Sequence, residues 1–181
     1  MTTVARLVQA KGIPFRMTLD DSHVIFKIDN PAEQDVVGIR KDVSVGHLVL
    51  DPTQPKAITA EWIEAGWLQH CHARAAIPNS PKNTSMRHPD GSLGRGLQYP
   101  FVQPKPGEYH VPWSEEKLEL WKIVIQQVMV FHAKDPDAKL GQISTEFIPN
   151  PDFDGGCKYL LFKQGVACAE WMRAEWAKIS A

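Results

Sequence analysis

The sequence predicts an α/β fold in which three parallel strands alternate with helices. Three observations carry this. Stretches that alternate apolar and polar residues recur between stretches with helical spacing, in the order helix, strand, helix, strand, loop, helix, strand, helix. Strands separated by helices pair in parallel through right-handed crossovers. The polar residues of all three strands cluster at their C-terminal ends, where parallel sheets keep their chemistry.

Composition permits such a fold and narrows the class. The 181 residues are read as one domain, 1–181, with 43% hydrophobic and 23% charged residues. Twenty basic residues balance 21 acidic ones, so there is no basic stripe to bind nucleic acid. No apolar span approaches the ~20 residues that cross a membrane, and the N-terminal stretch lacks the apolar run of a signal peptide. Cys71, Cys157 and Cys168 have no CxxC spacing. That argues against a disulfide framework or a four-cysteine zinc site, and fits a reducing, cytoplasmic location.

The elements follow in order. TVARLVQAK (3–11) places Val4, Leu7 and Val8 at helical spacing, and Gly12 stops it. Phe15, Met17 and Leu19 alternate with polar residues in a first strand ending at Asp20. Residues 31–41 open on Pro31 with early acids, as a helix does. VGHLVLD (45–51) reads as a short strand, ITAEWIEAGW as a helix, and WLQHCHARA (67–75) as the second main strand. Residues 77–112 hold half of the 14 prolines and form a long loop. Ser114 is the expected N-cap of a long helix whose Leu118, Trp121, Ile125, Val128 and His132 share one face. GQISTEF (141–147) is the third strand, and a terminal helix with Gly165 inside it closes the chain.

Each polar cluster has an ordinary reading. Asp20-Asp21-Ser22-His23 can be a turn or helix cap. In a strand, His70 and His72 point to the same face and can ligate a metal or simply decorate a strand end. Cys71 then points the other way, as a core thiol. Glu146 follows an apolar strand and precedes Pro149, which places a carboxylate at a rim. Arg74 or Arg95 is expected to hold an anionic or hydroxyl-rich substrate, Arg74 being nearer His72. Trp121 and Trp171 are read as core, Trp113 as a staple before the long helix, and Tyr99, Phe101 and Tyr109 as residues that pack the loop down. His47, His88, His110 and His132 show no partner pattern. Taken together, Asp, His and Glu at successive strand ends make an open site for a divalent ion such as manganese, zinc, cobalt or iron.

LDDSH (19–23), QHCHARA (69–75) and STEFIP (144–149), in this order and at these separations, resemble the sugar-phosphate isomerase/epimerase superfamily, the xylose-isomerase-like TIM barrels. The resemblance runs from about Phe15 to the end of the chain. It implies the C-terminal portion of a (β/α)8-type barrel, completed by oligomerisation or by a partner chain. It implies Asp20, His72 and Glu146 as metal ligands, with His23 touching metal or substrate. His70 and Arg74 would face the substrate, and Glu146 would double as the acid/base. The implied activity is metal-assisted proton transfer next to the carbonyl of a small carbohydrate. The departures are equally specific. The chain has room for about three of eight strands, and none of the residues before Asp20 is an acid, so the family's first carboxylate ligand is absent. A non-catalytic relative that serves as a metal-binding or structural subunit, or a lyase or hydrolase on the same scaffold, is the alternative.

Overall fold

The computed structural model of the chain describes residues 1–79, 87–134, 137, 140–153 and 157–181. The described elements are α1 (Thr2–Gln9), β1 (Met17–Asp20), α2 (Ser22–Ile25), α3 (Pro31–Val36), α4 (Arg40–Ser44), α5 (Ile58–Glu64), β2 (Leu68–Ala73), α6 (Glu119–Lys134), β3 (Gln142–Thr145) and α7 (Leu161–Ile179). A 3-10 turn, Glu115–Leu118, leads into α6.

The three strands form one parallel sheet in the order β1-β2-β3. Asp20 stands beside His72, and His72 beside Ser144. Between β1 and β2 the register steps: Met17 pairs with Leu68, but Thr18 pairs with His70. Gln69 is the extra, exposed residue of this bulge. Because of it, Leu68, Cys71 and Ala73 are all buried on the helix side, while His70 and His72 lie on the other face.

The helices cover the apolar face. Leu118, Trp121, Val124, Ile125 and Val128 are fully buried, so the predicted stripe of the long helix is its core face. Trp121 and Trp171 pack at 5.8 Å between ring centroids. α7 packs on the sheet at Gly165, where a Cβ would lie in van der Waals contact, 3.4 Å, with Thr145 Oγ1.

Two predicted elements differ. The helix expected over 31–41 ends at Val36, because Gly38 takes φ +70° and closes a Schellman motif through Ile39 N–H to Gln34 C=O at 2.9 Å. The strand expected over 45–51 is a single bridge, Val49 to Ala57. Its first residues serve instead as the C-cap of α4, with His47 N–H bonded to Asp42 C=O.

The long loop is pinned by its own polar groups. Gln98 donates to the Ile148 carbonyl at 3.0 Å and accepts from the Ile148 N–H at 2.9 Å. Gln164 accepts from Val102 N–H, and Trp113 donates to the Pro100 carbonyl, so Trp113 ties the loop. Tyr99 and Phe101 are buried, as expected of residues that pack the loop down. Ser114 stands at the N-cap position without a side-chain capping bond; its N–H donates to the Tyr99 hydroxyl instead.

Candidate metal centre

The end of β1 turns sharply into α2. Within that turn Asp20 Oδ1 accepts from the Ser22 N–H at 3.2 Å and the Ser22 hydroxyl at 2.6 Å. An aspartate bonding two residues ahead is the usual way to stabilise such a turn, and it fixes the carboxylate's rotamer. The other oxygen, Oδ2, faces Arg74.

Arg74 follows β2 and is only 2% exposed. Its Nη2 lies 2.9 Å from Asp20 Oδ2 and 2.7 Å from Glu146 Oε2, and its Nε donates to the Glu146 carbonyl at 3.2 Å. The ring of Phe153 covers the guanidinium at 4.3 Å. One planar cation therefore orients the carboxylates of two strand ends. Its Nη1 is buried without a hydrogen-bond partner among the described residues.

His72 completes the group. Its Nδ1 lies 2.9 Å from Glu146 Oε2. One ligand atom from each of Asp20, His72 and Glu146 falls within 4.8 Å of the others, and all three residues are half-buried. Two carboxylates and an imidazole, open to solvent on one side, fit a divalent ion of the oxygen- and nitrogen-preferring kind. Arg74 neutralises one of the two negative charges and leaves the other for a cation.

Two further histidines flank the group. His70 stacks edge-on against His72, with ring centroids 4.6 Å apart, and its Nε2 lies 2.9 Å from Ser144 Oγ. His23 Nε2 lies 3.5 Å from Asp20 Oδ2. Although 45% of the His23 side chain is exposed, desolvation of the rest is the main force lowering its pKa; Asp20 opposes this, and Arg74, Lys27 and Arg95 add to it. Cys71 is fully buried on the opposite face, and burial pushes its thiol far up, so it is a core residue.

Arg95 does not join the site. It is paired with Glu33, 62 residues away in sequence. His88, expected to lack a partner, lies 2.9 Å from Asp152 Oδ1. Four residues near the centre stand outside the predicted ligand and substrate set. Ser22 had a signal available, the Asp-x-Ser spacing of an Asx turn. Phe153 and Lys27 had none. Asp21 is fully buried with neither carboxyl oxygen hydrogen-bonded among the described residues, and burial, then the Asp20 charge, raises its pKa well above its ordinary value.

Comparison with family models, with curated proteins and with solved structures finds no match for this chain. The described chain is an α/β fold with a three-stranded parallel sheet and a three-residue group able to hold a metal ion. No helix among the described residues is long and apolar enough to cross a membrane.

Proposed function

We propose that this chain is part of a divalent-metal-dependent isomerase or epimerase acting on a small carbohydrate. One observation carries the reading: Asp20, His72 and Glu146 converge at the C-terminal ends of three successive parallel strands. That is where β/α enzymes assemble their chemistry. Asp20, His72 and Glu146 would hold the ion, which when bound polarises a substrate carbonyl as a Lewis acid.

The chain's own residues do the rest. Glu146 is the base. It takes the proton from the hydroxyl-bearing carbon next to the carbonyl, the electron pair moves toward the carbonyl oxygen, the neighbouring hydroxyl passes its proton to that oxygen and becomes the new carbonyl, and the same carboxyl gives the carbon proton to the former carbonyl carbon. His72, 2.9 Å from Glu146 Oε2, and Arg74, 2.7 Å from it, restrain that carboxylate. His23 and His70 face the substrate's hydroxyl groups. In this reading the remaining strands of a closed barrel come from an oligomeric partner or a second chain, and close the polar sheet face over the substrate.

Arg74 favours a second reading. A buried guanidinium that already bridges two strand-end carboxylates is sufficient as a purely structural ion-pair network, in a relative without turnover. Metal content by plasma mass spectrometry, on the wild type and on His72→Ala, separates the two. Near-stoichiometric manganese, zinc, cobalt or iron that is lost in His72→Ala supports the metal-dependent reading and justifies a screen of keto-sugars. Metal absent from both overturns it.

A further inference from the structure

β3 has an open side. The sheet order puts β2 on one side of it, and no described strand lies on the other. Gly141 N–H bonds to Gln69 C=O at 2.7 Å, so strand alternation turns the backbone groups of Gln142 and Ser144 to the open side. Such an edge pairs with another strand unless it is guarded, and this strand carries neither the proline nor the lysine that commonly does so.

α7 continues the same surface. Phe162 is 76% exposed, Trp176 42% and Val166 39%, all large apolar side chains left in water. Phe162, Ala169 and Trp176 recur at seven-residue intervals, which sets them on one stripe. Two cavities, of about 610 and 330 Å³, join this stripe to the strand. One lies between Trp176 and Ile143, the other between Phe162 and Thr145, and Ala169 and Arg173 line both. Together they make one largely apolar groove along the open edge.

Strand and stripe share a centre of symmetry. A two-fold axis at Ile143 pairs Gln142 with the partner's Ser144, an antiparallel pair that exchanges both its N–H···O bonds. α7 runs alongside, with Gly165 against Thr145 at one end and Trp176 sharing a cavity with Leu140 at the other, which brings Ala169 level with Ile143. The same axis therefore passes Ala169. It sets Phe162 level with the partner's Trp176, and puts the small Gly165 and Ala169 where the two helices come closest. It also sorts the charges. Glu170 falls midway between the levels of the partner's Lys163 and the partner's Arg173, and none of the three has an ion-pair partner among the described residues.

We propose that a second copy of this chain docks on the β3 edge and the α7 stripe, antiparallel about one two-fold axis, to form a closed dimer with a continuous sheet. A contact symmetric in this way is satisfied by two copies and stops there. The proposal goes beyond the metal-centred reading by naming its oligomeric partner, and it stands on the edge and the stripe alone.

The test is the mass of the full chain by light scattering after gel filtration, over a concentration series, with circular dichroism on every variant. The wild type is expected to run as a dimer, with about twice the 20.3 kDa mass of one chain, at about 50 μM. Ala169→Arg, at the axis, should be a folded monomer. Gln142→Pro removes an outward N–H without touching the bonds to β2, and should raise the dissociation constant about tenfold or more. Glu170→Lys should weaken the dimer, and adding Lys163→Glu and Arg173→Glu should restore it, which a fault in folding cannot do. A wild type that stays monomeric, or that grows into open-ended assemblies, overturns the proposal. So does a dimer that survives both Ala169→Arg and Gln142→Pro. Should Ala169→Arg fail to fold, Gln142→Pro and the charge swap decide. Metal content read on the same samples keeps the two readings apart. A dimer without metal leaves this proposal standing while the metal-dependent reading falls, and metal on a monomer does the reverse.

Discussion

Arg74 grips Glu146 twice, Nη2 to Oε2 at 2.7 Å and Nε to the backbone carbonyl at 3.2 Å. The same Nη2 reaches Asp20, so one buried guanidinium occupies the space between two candidate ligands. Arg74→Met should therefore act in opposite directions on two quantities. Without metal, the variant loses about 3–5 kcal/mol, the usual result of removing one partner of a buried ion pair. With manganese or zinc, the uncompensated carboxylates gain a new cation, and the loss is largely reversed. Urea titrations with and without metal read both effects. A variant that metal rescues no better than it stabilises the wild type would show that the network is only structural.

Glu146→Gln keeps the shape of the side chain and removes its charge and basicity. Turnover of any substrate found in a keto-sugar screen should fall by about 10²–10⁴, the range for losing a general base. Metal content is measured alongside, because Glu146 is itself a candidate ligand and only turnover lost with metal retained assigns the proton transfer to it. Unchanged turnover would move the proton-transfer role to another group.

Lys27 gives a pH signature. Burial, then repulsion from Arg95, pushes its pKa down to about 8 from an ordinary 10.5. Below pH 8 both folded and unfolded chains carry the charge, so the full cost of burying it is present. Above that, the folded chain releases the proton while the unfolded chain keeps it until about 10.5. Stability relative to Lys27→Met should therefore rise with pH in this window, by about 1.4 kcal/mol per unit. Thermal or urea unfolding of both proteins at pH 7, 8.5 and 9.5 measures it. A constant difference would show that burial does not oppose the lysine's charge.

Gln98 holds both the N–H and the C=O of Ile148, two residues beyond Glu146. Gln98→Ala should cost about 1–3 kcal/mol, because two polar backbone groups lose their partner in a largely buried setting. It should also weaken metal binding, since the segment that carries Glu146 is no longer fixed to the loop. Intact metal affinity in a destabilised Gln98→Ala would confine the clamp's role to folding.

Much of the centre was legible because parallel sheets impose simple rules. Strand alternation put His70 and His72 on one face and Cys71 on the other, and strand ends located Asp20 and Glu146. Long-range pairings were not legible. Arg74 was expected near a substrate, and no local pattern tells that its fork is filled by Asp20 and Glu146. Phe153 lies in a turn-rich stretch without periodicity, yet it covers Arg74. The helix over 31–41 failed for a visible reason, Gly38, whose left-handed backbone ends the turn regardless of the apolar pattern beyond it. Lys27 looked like any helix-end lysine, and only the packing around it removes its water.

The step in register at Gln69 decides more than strand shape. A regular ladder continued from the Met17–Leu68 pair would set Asp20 beside Cys71, one residue out of phase with the observed pairing. The site face would then present a sulfur donor where it now presents an imidazole. A thiolate is a soft ligand and draws zinc or copper(I) away from the harder ions that carboxylates hold. The single skipped residue thus selects the donor set: the sheet's phase fixes whether this three-residue group offers nitrogen and oxygen, or sulfur, to any ion it could hold.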